Sequence, residues 1–195
     1  MSEPERIPWS DGSWTHLPEA AEERGDALVV TATEGSDAWR ETYYGFVHDS
    51  EHGLLAPFAV GTAMEVEFEA EFAEQFDQAG VFVRASADRW VKAGVEFADG
   101  LLQLGAVVTD GRSDWSVAPV PAWLGRRVLV RVSRGADALI VRAGVDGRPL
   151  QFVRVIPFEA ALDAQAGPLV AAPTRPGLTV RFLAWRRTAA DVSLH

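Results

Sequence analysis

Asp99-Gly100 stands between two long runs of β-forming residues and sets the register of both. Asp-Gly is a preferred pair for the central positions of a tight type I′ hairpin turn, because both residues must adopt φ > 0. A two-residue turn pairs Ala98 with Leu101, and so Phe97 with Leu102, Glu96 with Gln103 and Gly94 with Gly105. The side-chain pattern agrees. Val91, Ala93, Val95 and Phe97 fall on one face with Leu102, Leu104, Ala106 and Val108, an apolar face suited to a core. Trp90, Lys92, Gly94 and Glu96 fall on the other, beside Gln103, Gly105, Val107 and Thr109. Upstream, the run Gln78–Arg84 can return through the Ala85–Arg89 loop. Arg84 then faces Trp90, Phe82 faces Lys92, Gly80 faces Gly94 and Gln78 faces Glu96.

This register aligns Gly80, Gly94 and Gly105 across three neighbouring strands, on the face away from the core. Glycine weakens a strand, and a row of three implies close approach by something else. Two readings stay open: a ligand lies on the bare strip, or a loop aromatic, Trp115 or Tyr43, fills it. Gly94→Leu is expected to separate them, blocking an open strip at little cost or overpacking a filled one. Lys92 favours a site. It is the single lysine among the eighteen lysines and arginines, which suggests a place where a compact ammonium fits and a planar guanidinium does not.

Composition narrows the function classes. A chain of 195 residues is a comfortable single domain over 1–195, here with an irregular lead-in over 1–26 that holds one short strand near Trp14. A net charge of −10 opposes binding to nucleic acid or to an anionic membrane. With no cysteine there are no disulfides and no thiol chemistry. The first residues lack a basic-then-apolar signal pattern, so a cytoplasmic location is expected. No cofactor is expected. His48-Asp49-Ser50-Glu51-His52 carries two imidazoles with acids between them, but Gly53 and the flanking strand make it a solvated turn, and no metal is expected there.

Further strands are read at Ala27–Ala32, Ala38–Phe46, Ala63–Phe72, Arg127–Arg134, Ala138–Val145, Gln151–Val155 and Leu178–Trp185, with a helical turn within Pro157–Asp163. The alternation over 63–72 sets Glu65, Glu67, Glu69 and Glu71 on one side of a strand. Cross-strand pairing with Arg127, Arg131, Arg142 and Arg154 explains that acidic row better than catalysis does. Many short strands with turn signals and almost no helix make an all-β, two-sheet antiparallel sandwich.

Four separated stretches resemble the regulation-of-enolase-protein family, a domain of unknown function. They are Ala38-Trp39-Arg40-Glu41-Thr42-Tyr43-Tyr44-Gly45-Phe46, Asp77-Gln78-Ala79-Gly80, Trp90-Val91-Lys92-Ala93-Gly94-Val95-Glu96, and Val107-Val108-Thr109 with Ser113-Asp114-Trp115-Ser116. The resemblance spans roughly 9–185, with Ala172-Pro173 where a Ser-Pro is expected. It implies a concanavalin A-like jelly roll, a regulatory link to carbon metabolism, and no established reaction. By fold analogy it also implies sugar binding on the concave sheet. The expected ligand-binding set is Tyr43, Gln78, Arg84, Trp90, Lys92, Glu96, Gln103 and Trp115, taking a small polar ligand such as a sugar. Two alternatives remain. One is a glycoside hydrolase or lyase with Glu96 as acid/base, for which a second carboxylate is missing from the face. The other is a protein-interaction domain with no small ligand. Oligomeric state, a homo-oligomer included, stays open.

Overall fold

The computed structural model describes residues 4–194. Its strands form two large antiparallel sheets, one of eight strands and one of seven, with a small two-stranded hairpin beside them. The seven-stranded sheet carries, in spatial order, Arg112–Pro119, Leu101–Asp110, Arg89–Ala98, Gln78–Arg84, Gln165–Ala171, His52–Pro57 and Ser13–Trp14. The inner faces of the two sheets close on one core. Val81, Val83, Val91, Ala93 and Val95 meet Val66, Phe68, Val130 and Phe182 there. The fold is an antiparallel jelly-roll sandwich of the concanavalin A-like kind.

The register read from Asp99-Gly100 is the observed one. Gly94 pairs with Gly105 and with Gly80, Glu96 with Gln103 and Gln78, and Trp90 with Arg84. Asp99 (φ 55°) and Gly100 (φ 76°) both take the left-handed conformation that a type I′ turn requires. Gly100→Val should therefore lower stability by about 1–2 kcal/mol, since a β-branched residue at positive φ is strained. Urea denaturation measures this, and an unchanged midpoint would count against the turn.

Four local expectations are corrected. The lead-in is not irregular throughout: Ala20–Arg24 is an edge strand that pairs with Ala27–Thr31 across a turn at Gly25 (φ 63°). Its alternation is hidden because every one of its residues is exposed. Ala38–Phe46 is not one strand. Glu41 (φ 58°), Tyr43 (φ 66°) and Gly45 (φ 72°) break it into a hairpin of Ala38–Arg40 with Val47–Asp49. Residues 158–163 turn without a helix, and the helical turns among the described residues are short 3-10 pieces at Trp9–Asp11 and Pro121–Trp123. Glu51 and His52 are buried, not a solvated turn.

The acidic row lies on the outer face of the eight-stranded sheet. Arg131 meets Glu65 at 2.7 Å, Arg127 meets Glu69 at 3.3 Å and Arg186 meets Glu67 at 3.1 Å. Arg142 and Arg154 turn elsewhere, to Asp191 and Asp114. Glu65, Glu67 and Glu69 are thus engaged as cross-strand ion pairs.

Candidate functional site

Over part of the seven-stranded sheet's outer face folds the 38–49 hairpin. Ala38 and Trp39 seal a second, small apolar cluster against Leu55, Phe82, Trp90, Val107 and Leu169. Beside this seal the sheet stays open. A cavity of about 300 Å³ is walled by Trp39, Tyr44, Phe46, Phe76 and Trp115, with Asp37, Gln78, Lys92 and Glu96 supplying its polar groups. It continues over Gly94 and Gly105 through the lining residues it shares with the strip. The Tyr44 and Phe46 rings stack at 5.2 Å, and Trp39 meets Tyr44 edge-on at 5.9 Å. Tyr43, 93% exposed, does not lie on the strip, whereas Trp115 borders it beside Gly94 and Gly105.

The glycines nevertheless have another reason. A Cβ on Gly80 would lie 2.1 Å from the Ala93 carbonyl oxygen, one on Gly94 2.2 Å from that of Ala79, and one on Gly105 2.0 Å from that of Ser116. At these points the backbone directs the missing side chain into the neighbouring strand. Close strand packing, with no ligand involved, is what demands glycine. Gly94→Leu thus cannot distinguish an open strip from a filled one, because it would disturb the sheet in either case.

Lys92 is buried at 6% exposure, and its Nζ donates to Asp37 Oδ1 at 2.7 Å. The same oxygen accepts from Gln78 Nε2 at 3.3 Å and from the Ala38 N–H at 2.8 Å. Three donors on one carboxylate oxygen suit a point-like ammonium better than a guanidinium fork, which accounts for the lysine. Asp37 could not be found from the sequence. It precedes a short strand and meets Lys92 only because the hairpin folds back over the sheet.

Glu96 lies four residues from Lys92 on the same face and forms no ion pair with it. The expected amide partners serve elsewhere: Gln78 bonds Asp37 and Phe76 O, and Gln103 donates to Ala98 O. Arg84 turns to Asp49 at 3.7 Å, and Arg40 to Gly111 O. Among the described residues Glu96 is therefore left facing the cavity without a hydrogen-bond partner. Burial pushes its carboxyl up to about 7, with Lys92 pulling the other way and Asp37 adding to the rise.

Of the eight expected residues, Gln78, Lys92, Glu96 and Trp115 come together at the cavity. Trp90 is 4% exposed and packs on Phe82 at 5.6 Å, so its ring is spent in the second cluster. Arg84 and Gln103 lie outside the lining, and so does Tyr43, which is 93% exposed and borders a neighbouring hollow with Tyr44 and Trp115, while Tyr44 takes the place in the cavity expected of it. Sequence reading missed Asp37, Trp39, Tyr44, Phe46 and Phe76. A signal for some of them exists only in the backbone: five non-glycine residues among those described have positive φ, and of the three outside Asp-Gly turns Phe76 lines this cavity while Glu41 and Tyr43 lie in the hairpin turn that carries Tyr44 to it. Strain of this kind persists where surrounding structure enforces it, and it collects at functional sites.

The fold and site together define an antiparallel jelly roll with an aromatic-walled, polar-floored cavity on one sheet. The family described as "Protein of unknown function (DUF1349)" matches residues 14–190, and the chain belongs to it. It is 33% identical over 189 residues to Regulation of enolase protein 1 of Saccharomyces cerevisiae, covering 97% of this chain and 95% of that protein. A crystal structure of a functionally unknown protein from Saccharomyces cerevisiae superposes with a TM-score of 0.89 at 32% identity, over 95% of this chain and 100% of the other. The carbohydrate-binding module CBM66 from Bacillus subtilis superposes at 0.57 with 12% identity, over 97% and 99%. The GH43 protein BlXynB from Bacillus licheniformis reaches 0.72 at 11% identity, over 95% of this chain and 38% of that one. At such identities these last two likenesses show the fold alone.

Proposed function

We propose that the cavity beside the 38–49 hairpin binds a small carbohydrate or sugar-like metabolite, and that the domain acts by binding. The observation that carries this is the pairing of an aromatic wall with a charged floor. Tyr44, Phe46 and Trp115 are between 40% and 57% exposed, which is unusual for large rings grouped at one place. Rings suit the apolar C–H faces of a sugar. Lys92, Asp37, Gln78 and Glu96 offer donors and acceptors to its hydroxyls. The regulatory name of the yeast relative and the carbohydrate-binding module among the structural likenesses point the same way.

Calorimetric titration with neutral sugars and sugar phosphates tests the reading. A hit should weaken roughly tenfold or more in Trp115→Ala, with a stability loss below about 1 kcal/mol because the ring is half exposed. Absence of binding across both sugar classes, or equal binding by Trp115→Ala, would move the function to another surface.

One observation favours a second reading, glycoside hydrolysis. Asp37 is the second carboxylate at this face that the sequence did not reveal, and Glu96 is poised to exchange a proton near neutrality. Binding is preferred because Asp37 Oδ1 is already held by three donors. Turnover of aryl glycosides that vanishes in Glu96→Gln, with binding retained, would replace the binding reading by the enzymatic one.

A further inference from the structure

Around the edge of the same sheet, Glu51 is only 1% exposed, and neither of its carboxyl oxygens has a hydrogen-bond partner. A buried carboxyl with no partner is costly, so its retention asks for a ligand. One donor atom each from His16, Asp49 and Glu51 lie within 4.8 Å of one another. Ligands bound at about 2.0–2.4 Å to one divalent ion span no more than that.

Asp49 and Glu51 come from one stretch and His16 from another, and the backbone holds the two segments together. Thr15 Oγ1 donates to Glu51 O at 2.9 Å and accepts from the Gly53 N–H at 3.0 Å. His52 Nδ1 bonds His16 O at 3.1 Å while its Nε2 accepts from the Thr33 N–H at 3.1 Å. With both nitrogens engaged, His52 is a brace and not a ligand. His16 Nδ1 sits 3.0 Å from Glu51 O, a contact in which it must donate, and 3.9 Å from Glu51 Oε1, so ligation through Nδ1 requires that nitrogen to lose its proton and release Glu51 O. His16 and Asp49 are 38% and 45% exposed, so the group is open to solvent on one side. Two carboxylates turned toward each other repel, and a cation between them removes that repulsion.

We propose that His16, Asp49 and Glu51 form a binding site for a divalent first-row transition-metal ion. The donor set decides the class. An imidazole nitrogen with two carboxylates suits Zn²⁺ or Mn²⁺, whereas Ca²⁺ and Mg²⁺ prefer oxygen alone. Three protein donors leave coordination positions for water. Arg84, 3.7 Å from Asp49, opposes the cation and keeps the affinity moderate.

The test uses the full chain stripped of metal, titrated separately with Zn²⁺, Mn²⁺, Ca²⁺ and Mg²⁺ by calorimetry, with native mass spectrometry for stoichiometry. One Zn²⁺ or Mn²⁺ should bind per chain, and Glu51→Gln should weaken it at least about tenfold, the loss seen even for outer-shell partners. Asp49→Asn should do the same, and its half-exposed side chain puts folding at no risk. No binding of Zn²⁺ or Mn²⁺, binding unchanged in both variants, or a preference for Ca²⁺ would each overturn the assignment. The first of these would leave Glu51 as a carboxyl kept neutral by burial.

Discussion

Gly94→Ala is expected to destabilise this protein by on the order of 3 kcal/mol or more, although it adds a single methyl group to a strand. The Cβ would sit 2.2 Å from the Ala79 carbonyl oxygen and 2.7 Å from the Gly80 Cα, and both are backbone atoms. No rotamer change relieves a backbone clash, so the two strands must separate where Gly94 pairs with Gly80. The loss then reaches the upper end of overpacking costs. Gly105→Ala should behave alike, since its Cβ would meet Ser116 O at 2.0 Å. Gly45→Ala is the control. That position has positive φ (72°) with nothing within 4 Å, so only conformational strain of about 1 kcal/mol is at stake. Urea unfolding of the three variants measures the contrast. Equal midpoints for Gly94→Ala and Gly45→Ala would show that the row is not held by strand contact.

Glu96→Gln should act in the opposite direction, making the protein more stable at pH 8 by up to about 3 kcal/mol. The folded-state carboxyl is raised from 4.5 to about 7, chiefly by desolvation. The native state therefore binds the proton more tightly than the unfolded chain does. The stability associated with Glu96 is fully present below pH 4.5, falls as pH rises, and is lost once pH passes about 7. Glutamine removes that slope. Thermal unfolding from pH 4 to 9 should show the parent losing stability across this window relative to the variant. Parallel curves would mean that Glu96 is solvated. A gain in stability on replacing a buried ionisable carboxyl by a neutral amide is expected of a residue kept for function, and the same substitution should weaken any ligand that bonds this carboxyl.

How far the sequence reaches can be judged residue by residue. The hairpin at Asp99-Gly100 was legible because turn chemistry is local and a two-residue loop leaves no freedom in register. The inward face of Val91, Ala93 and Val95 followed from a period of two. Glycine alignment came with it, and so did the places of Gln78, Lys92 and Glu96 on one face. The cavity did not. Ala38–Phe46 reads as a strand by propensity, but three residues at positive φ fold it into a hairpin that brings Tyr44 and Phe46 to the cavity wall and leaves Tyr43 exposed outside it.

Lys92 marked the site by being the lone lysine, but only the fold supplied Asp37 as its partner, fifty-five positions earlier in the chain. Trp90 and Glu96 share a face in the sequence and meet different fates in the structure. Trp90 lies under the hairpin and becomes core, while Glu96 lies just beyond it and is left facing the cavity. Local physics thus determined the strands, their faces and their register, since those depend on neighbours along the chain and across one turn. Which half of an exposed face is covered depends on where a distant loop comes to rest. That placement is set by long-range packing, and it decided which of these side chains remain free to meet a ligand.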